Sequence, residues 1–392
     1  MSVRLRSFCF VAFSGCLLLA PSLAVGAKAK KGEPAPPPPE VVRTTAGITE
    51  VGVMGKADYR IDLPANWNHS LVVFYHGYSE RPFHYHASAS INDQAAPMLK
   101  RGYAVIQSGY SQIGWALEWA APETEELRRY FVKKYGQPRE TYVSGGSMGG
   151  ALTMLTIEQN PKPYAGALDL CGAVGPTLVH FGRRFAFRAA FDYYFPGVMP
   201  PLNQTPANYE ESEPLRQKIL AALRAKPAAA DAMRGITGLH TDVDVARMMS
   251  YFTYVIADIQ KKAGGNPFDN RNYLYTNANV DTHADYALND GVRRYAADPK
   301  ALKYLVDHYT PTGRVTKPML ALHTIYDPLI PATTLSLYTS QIEAAGYSQN
   351  FVQQYVHREG HCAMSPDEIG RAFDELVTWV HTGKAPQAGL LR

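Results

Sequence analysis

The segment Tyr142–Gly150 (YVSGGSMGG) decides the fold predicted for this chain. It begins as an apolar run typical of a buried strand and turns into a glycine-rich corner around one serine, Ser147. The residues that follow, Ala151–Glu158, have a helical pattern. The spacing Gly145-x-Ser147-x-Gly149 is typical of a nucleophile elbow, in which a strained strand-to-helix turn raises a serine hydroxyl above a sheet. The alternative is a glycine-rich turn that only caps a helix.

Segments on both sides of this turn predict a mostly parallel sheet. Leu71–Tyr75 and Ala165–Leu170 are continuous apolar runs, as expected for strands that are buried on both faces. Glu123–Tyr135 is charged and amphipathic and predicts a helix. Pro318–His323 and Phe351–His357 predict two later strands. Strands that alternate with helices in this order favour a doubly wound α/β fold.

The alternation is interrupted between residues 175 and 316. This stretch has helical patterns and many aromatic residues but no clear buried strand. Because unstructured connections of such length are uncommon, we predict an inserted, mainly helical cap. The α/β core is then predicted in residues 46–174 and 317–392. The cap aromatics are interpreted as a cap core, with a platform for the substrate as the alternative.

The beginning of the chain is typical of an exported protein. Residues 1–27 predict a signal peptide, because two arginines precede an apolar run that ends in a cleavage site at residues 25–27 (VGA). Residues 14–16 (SGC) resemble a lipidation site, but the apolar run continues beyond them, which disfavours lipoprotein anchoring. Residues 28–45 predict a Pro- and Lys-rich linker. We therefore expect a secreted or periplasmic protein.

The net charge and hydropathy of the chain argue against nucleic-acid binding and against a membrane span. The 392-residue chain has a formal charge of +4, and the predicted signal peptide contributes two of these charges through Arg4 and Arg6. The remainder is nearly neutral, so nucleic-acid binding has no electrostatic support. Outside the signal peptide, no apolar run approaches the length of about 18 residues that a membrane span needs.

The order of polar residues after the elbow predicts the partners of the serine. A serine nucleophile needs a base, and the base needs an acid to orient it. In elbow proteins the chain order is serine, acid, histidine. Asp327 follows the strand that resumes the sheet, and His361 follows the last predicted strand. We therefore predict a catalytic triad of Ser147, Asp327 and His361, with Asp169 as the alternative acid.

An oxyanion hole is predicted from the same pattern. The tetrahedral intermediate of acyl transfer needs hydrogen-bond donors for its oxyanion. One donor is predicted to be the backbone N–H of Met148, directly after the serine. The second is predicted from the loop after the Leu71–Tyr75 strand, at Tyr78 or Gly77. His76, in the same loop, is interpreted as ordering the loop, with a role as a base as the alternative.

Other candidate site residues give weaker signals. Gln112 and Trp115 follow a predicted strand and are candidates for the substrate pocket, with ordinary loop packing as the alternative. His84 and His86 have no further ligand at metal-binding spacing, so we predict no metal site. The sequence also contains no dinucleotide fingerprint or P-loop, and no cofactor is predicted.

Together these motifs resemble secreted serine hydrolases of the α/β-hydrolase superfamily. The resemblance extends over about residues 58–384 and rests on His76-Gly77, the glycine-rich turn at 145–149, Asp327 and Gly360-His361. It implies a mostly parallel, doubly wound sheet with a cap inserted before the strand that precedes Asp327. It also implies catalysis by a serine nucleophile.

His361-Cys362 resembles a feature of tannase and feruloyl-esterase enzymes. In those enzymes a cysteine beside the catalytic histidine forms a disulfide with a cysteine beside the serine. Here Gly146, not cysteine, precedes Ser147, and cleavage of the signal peptide leaves Cys171 and Cys362. They are either separate thiols or a disulfide pair. Because Cys171 ends a strand expected beside the elbow strand, the resemblance implies a Cys171–Cys362 disulfide that tethers the histidine loop.

The predicted function is hydrolysis of carboxylic esters, small or polymeric, through an acyl-enzyme. The first alternative is a serine peptidase or amidase of the same fold, of prolyl-oligopeptidase or aminopeptidase type. Such an enzyme needs acidic groups to bind a substrate N-terminus, and Glu118, Glu123 and Asp169 are the candidates. The second alternative is a binding protein that retains the elbow without catalysis.

Overall fold

A computed structural model describes residues 37–206, 208–308 and 310–391. The predicted signal peptide and the first nine residues of the predicted linker, 28–36, lie outside the described residues.

The strands of the described residues form one sheet in the order β1-β2-β3-β5-β4-β6-β7-β8-β9-β10. Strands β4 to β10 pair in parallel with one another, whereas β1, β2 and β3 pair antiparallel. The strands are β1 (Glu40–Thr44), β2 (Gly47–Met54), β3 (Ala57–Pro64), β4 (Leu71–Tyr75), β5 (Ala104–Ser108), β6 (Thr141–Gly146), β7 (Gly166–Leu170), β8 (Met319–Tyr326), β9 (Phe351–Glu359) and β10 (Gly389–Leu390).

Helices cover both faces of this sheet. The helices are α1 (Ala96–Lys100), α2 (Leu117–Tyr135), α3 (Met148–Gln159), α4 (Thr177–Tyr194), α5 (Glu213–Ala225), α6 (Pro227–Thr237), α7 (Asp242–Ala263), α8 (His283–Gly291), α9 (Pro299–His308), α10 (Thr333–Ala345) and α11 (Pro366–Thr382). Apolar side chains of α2, α3 and α10 form one core with the sheet, and those of α1 and α11 form a second core on the opposite face. The predicted doubly wound α/β fold is confirmed.

Helices α4 to α9 lie in the chain between β7 and β8, and they share a third apolar core. Phe185 and Phe191 of α4, Met233 of α6 and Ile256 of α7 are fully buried in it. The inserted helical layer predicted from the sequence is therefore present. The predicted aromatic core is found there too, because Phe181, Phe187 and Phe195 belong to the same cluster.

The N-terminal part of the sheet differs from the sequence prediction. Residues 40–44, predicted as linker, form β1 and pair antiparallel with β2. Val41 and Val42 favour extended backbone, and the adjacent β2 offers an edge on which to pair. The residues of β3 alternate in polarity, yet most of them are buried. Its polar face is covered by the loop that contains His86 and Ala89, whose carbonyl oxygens accept hydrogen bonds from the buried Arg60.

Candidate active site

The turn at Ser147 joins β6 to α3 and has the geometry of a nucleophile elbow. Ser147 has a φ of 60° and a ψ of −118°, a strained conformation for a residue with a side chain. A Cβ atom at Gly145 would collide with the backbone of Gly149, and one at Gly149 would collide with the carbonyl oxygen of Tyr75. The glycines are thus required by the close approach of β6 and α3 to β4.

The structure brings the three predicted triad residues together. The Oγ atom of Ser147 lies 2.8 Å from Nε2 of His361, and Nδ1 of His361 lies 2.7 Å from Oδ2 of Asp327. Because a carboxylate can only accept a hydrogen bond, the proton of a neutral His361 belongs on Nδ1. Nε2 is then free to accept the hydroxyl proton of Ser147.

Asp327 is fixed and kept ionised by its loop. Its Oδ1 atom accepts hydrogen bonds from the backbone N–H groups of Leu329 and Ile330, both at 2.8 Å. Burial by itself disfavours the carboxylate, but the hydrogen bond and charge of His361 outweigh it and lower the pKa of Asp327 below its ordinary value. The Asp-Pro turn therefore presents a charged acceptor to His361.

Asp169, the alternative acid, has a different environment. It lies at the end of β7, where a Cβ atom at Gly150 or Gly172 would collide with its carboxyl group. Burial raises the pKa of Asp169 to about 8, and the backbone of Gly172 offsets this only in part. At neutral pH the group is protonated. The hydrogen bond to His361 is made by Asp327 and not by Asp169.

We expect the free energy of unfolding of the Asp169→Asn variant to depend less on pH than that of the wild type. Between pH 5 and pH 7 the folded protein keeps a proton on Asp169 that the unfolded chain, with an ordinary pKa of about 3.9, has lost. The free energy of unfolding should therefore fall with rising pH by about 1 kcal/mol per pH unit through this group, and the variant should lack that slope. Urea unfolding at several pH values measures it. The exposed Asp290→Asn variant is the control, and equal slopes in all three proteins would contradict the expectation.

The residues predicted for the oxyanion hole lie around Ser147. Met148 occupies the first position of α3, where a backbone N–H has no partner within the helix. A Cβ atom on Gly77 would lie 3.4 Å from Cβ of Ser147, which shows how closely the β4 loop approaches the serine. Tyr78 lines the cavities that open at Ser147. The arrangement can present backbone donors from two sides of the serine.

His76 is enclosed in the core of this loop. Its ring stacks on Phe83 and Tyr110, with centroid distances of 4.4 and 3.9 Å, and its Nδ1 atom lies 2.7 Å from the carbonyl oxygen of Gly77. Burial lowers the pKa of His76 to about 4, so the ring is neutral at physiological pH. These contacts favour the interpretation that His76 orders the loop.

Two cavities meet at Ser147. The smaller has a volume of about 20 Å³ and includes Met148 in its lining. The larger has a volume of about 700 Å³ and includes Gly77 and His361. Tyr78 lines both cavities. A substrate at the serine therefore has unequal space on its two sides.

Of the two residues predicted for the pocket, only the one that follows Gly114 lies at a cavity. Trp115 lines the smaller cavity. Gln112 is exposed and lines neither cavity, so the structure does not place it in the pocket. Gly114 has a φ of 74° and packs so closely on the carboxylate of Asp258 that a Cβ would collide with it. The chain turns inward at this glycine, which leaves the preceding residues at the surface.

Several cap residues at the site were not predicted from the sequence. Tyr251 lines both cavities, Arg184 the smaller one and Arg247 the larger one. Arg184 is buried, and its guanidinium donates to the carbonyl oxygen of Leu329 at 2.8 Å. In the sequence these residues are ordinary members of amphipathic helices, and no motif distinguishes them.

Cys171 and Cys362 form the disulfide that the family resemblance implied. Their Cα atoms are 5.2 Å apart, and the bond connects residues separated by 191 positions. Cys171 follows β7 directly, and Cys362 is the neighbour of His361. The disulfide thus ties the histidine loop to the strand beside the elbow.

The described part of the chain has neither a metal-binding cluster nor a membrane-spanning helix. Within residues 37–206, 208–308 and 310–391, no group of three or more His, Cys, Asp and Glu side chains is arranged to hold a metal ion. His84 pairs instead with Asp58 at the surface, at 3.0 Å. None of the helices in this part of the chain has the length and apolar character to span a membrane.

Residues 53–173 match a sequence family described as a tannase-like family of unknown function (DUF6351). The matched segment runs from β2 to the residues just after Cys171 and includes the elbow. This match confirms the resemblance to tannase-type proteins that the sequence predicted. A search of curated proteins found no match.

Solved structures that are similar to this chain include several esterases. Feruloyl esterase B from Aspergillus oryzae is 12% identical, with a TM-score of 0.46 over 87% of this chain and 82% of that chain. Another esterase from Aspergillus oryzae is 14% identical, with a TM-score of 0.44 over 86% and 80%. An esterase from Pyrococcus furiosus is 11% identical, with a TM-score of 0.42 over 87% and 90%. These values are too low to transfer an activity to this chain.

Proposed function

We propose that this protein is a serine hydrolase that cleaves carboxylic esters. The observation that carries the proposal is the chain of hydrogen bonds from Ser147 through His361 to Asp327. Ser147 itself lies at an elbow between a strand and a helix. A serine, a base and an orienting acid in this geometry are the parts that acyl transfer needs. The similarity of residues 53–173 to a tannase-like family supports the choice.

The proposed reaction has two halves. His361 takes the proton of Ser147 as Oγ attacks the ester carbon, and the oxyanion is held by the backbone of Met148 and of Gly77 or Tyr78. The tetrahedral intermediate collapses, His361 gives its proton to the leaving alcohol, and an acyl-enzyme remains. Water, deprotonated by His361, then attacks the acyl carbon. The bond from the acyl carbon to Oγ breaks, His361 returns its proton to Oγ of Ser147, and the acid is released. Asp327 orients His361 and stabilises its charged form throughout.

Esters are proposed over peptides because the acidic residues considered for binding a substrate N-terminus are engaged elsewhere. Glu118 accepts a hydrogen bond from the hydroxyl of Tyr304 at 2.8 Å. Glu123 accepts one from the backbone N–H of Ser111 at 2.9 Å. Asp169 is buried and, with its raised pKa, uncharged at neutral pH. An aminopeptidase of this fold would need such a carboxylate free at the site.

We also propose that the protein acts outside the cytoplasm and that residues 175–316 form a cap over the site. The Cys171–Cys362 disulfide supports an oxidising compartment, since such bonds persist in secreted and periplasmic proteins. The cap is supported by the cavities, because helices α4 and α7 contribute Arg184 and Tyr251 to their walls. Specificity would then depend on cap side chains.

A fluorophosphonate probe and two chromogenic substrates test the proposed function. We expect the probe to modify Ser147 covalently, detected as a mass increase of its peptide, and to leave Ser147→Ala unmodified. The wild type should hydrolyse p-nitrophenyl acetate and leave peptide p-nitroanilides intact. Preferred hydrolysis of the anilides would make the protein a peptidase. Failure to react with both probe and substrates would indicate a binding protein.

A further inference from the structure

The position of His361 determines on which side of Ser147 the alcohol and the acyl chain of an ester lie. In the first half of the reaction His361 must give its proton to the oxygen of the leaving alcohol, which therefore lies beside it. His361 lines the larger cavity. The smaller cavity is lined by Ser147 and Met148 and does not include His361. The alcohol thus belongs in the larger cavity and the acyl chain in the smaller one.

The acyl cavity is very small and mostly apolar. Its one charged lining residue among those described, Arg184, donates to the carbonyl oxygen of Leu329 at 2.8 Å. The cavity volume of about 20 Å³ is the space of one or two water molecules, enough for the methyl group of an acetyl ester. Phe181 of α4 and Val255 of α7, both buried, form part of its wall. Trp115 packs edge-on against Phe181 with a centroid distance of 4.7 Å. A longer chain would collide with these side chains.

A partly buried carboxylate holds the walls of this cavity in place. Asp258 of α7 accepts hydrogen bonds from the backbone N–H of Trp115 at 2.7 Å and from the hydroxyl of Tyr78 at 3.2 Å. It is also paired with Lys262 at 2.8 Å. The cap helix is therefore fastened to two residues on the core side of the cavity. Such cross-linking opposes the outward movement that a larger acyl group would require.

The larger cavity has the opposite character. With a volume of about 700 Å³ it can hold a group the size of a sugar. Its lining includes Gln94, Arg247 and the ion pair of Arg216 with Glu211, whose closest atoms are 2.6 Å apart. These side chains offer both donors and acceptors to a polar alcohol. A long apolar alcohol would leave them without hydrogen-bond partners.

From this asymmetry we propose that the substrates are short-chain acyl esters, acetyl above all, of bulky polyhydroxylated alcohols such as carbohydrates. This inference rests on the proposed ester hydrolysis. Trp115, Phe181 and Val255 set the limit on acyl length, and Gln94, Arg216 and Arg247 bind the alcohol.

The limit on acyl length is tested with p-nitrophenyl acetate, butyrate and octanoate, which share one leaving group. We expect kcat/KM for the acetate to exceed that for the butyrate by about tenfold or more, with octanoate slower still. Val255→Ala removes two carbons from the cavity wall. It should reduce the preference for acetate over butyrate by about fifteenfold, at about fourfold for each of the two additional methylenes accommodated. Val243→Ala, at an exposed position of the same helix, is the matched control and should keep the wild-type preference.

The alcohol side is tested with 6-O-acetylglucose and ethyl acetate, which share the acetyl group and an unactivated alcohol. Acetate release should be at least about tenfold more efficient from the sugar, because contacts with the remote part of a substrate contribute to transition-state binding. Equal efficiency would overturn the alcohol assignment. Octanoate hydrolysed as fast as acetate, or equal shifts in Val255→Ala and Val243→Ala, would overturn the acyl assignment. A protein inactive on every ester and unlabelled by fluorophosphonate would instead refute the proposed function itself.

Discussion

Replacing His361 by alanine should lower kcat for ester hydrolysis by about 10⁶-fold, the scale seen when a triad base is removed from a serine hydrolase. The Nε2 atom that lies 2.8 Å from the hydroxyl of Ser147 is then missing, so the serine proton has no acceptor. The leaving alcohol also loses its proton donor. Residual activity above that of water alone should remain, because the oxyanion donors and the cavities are intact.

His357→Ala is the matched control for this variant. His357 lies four residues before His361, on β9, but its side chain is exposed, and its removal should change kcat less than twofold. Initial rates with p-nitrophenyl acetate measure both variants, and circular dichroism checks that both are folded. A His361→Ala enzyme that retains a tenth of the wild-type rate would show that His361 is not the base.

Loss of the disulfide should have the largest effect on stability. We expect the variant C171A/C362A to lose about 2–5 kcal/mol of the free energy of unfolding. The reason is that the bond joins residues 191 positions apart, so it removes much of the freedom of the unfolded chain. Since Cys362 adjoins His361, the variant should also show a lower kcat, with the histidine loop no longer fastened to the end of β7.

Urea unfolding of the wild type with and without a reductant provides the comparison. The reduced wild type should unfold at the same urea concentration as the double variant, and the double variant should be insensitive to the reductant. A thiol assay on the denatured protein must show that reduction was complete. If fully reduced and oxidised wild type unfolded together, the disulfide would make no contribution to stability.

The sequence indicated the fold and the triad because both leave local signals. Strands buried on both faces are continuous apolar runs, and the elbow requires glycines at fixed offsets from Ser147. Asp327 and His361 were identified by chain order, since each follows a strand of the sheet. The Cys171–Cys362 pairing was implied by the resemblance to tannase-type enzymes, together with the expected neighbourhood of β7 and the elbow strand. For Ser147, Asp327 and His361, a short stretch of sequence fixes the position of the side chain.

Features that depend on contacts between distant segments could not be predicted from the sequence. Gln112 and Trp115 are three residues apart, and which of them faces the site is decided by the contact of Gly114 with Asp258 in the cap. Tyr251, which lines both cavities, was not predicted for a similar reason. Its position depends on the placement of α7 over the elbow, and that placement has no local sequence signal.

Elements at the margins of the fold were missed for a different reason. Strand β1 is short and exposed, and its residues are extended only because β2 offers hydrogen-bond partners. Strand β3 has the alternating pattern of a half-exposed strand, but the loop with His86 and Ala89 covers its polar face. Alternation alone does not reveal which strand faces a distant loop will cover.

Strands β7 and β8 are partners in the sheet although residues 171–318 separate them in the chain. Joining two strands across so long a flexible connection costs entropy before any pairing stabilises it. Helices α4 to α9 have an apolar core of their own, so they can collapse first and bring the two strand ends close together. Rapid folding of the α/β sheet would then depend on the inserted helices, which would act as an internal scaffold during folding.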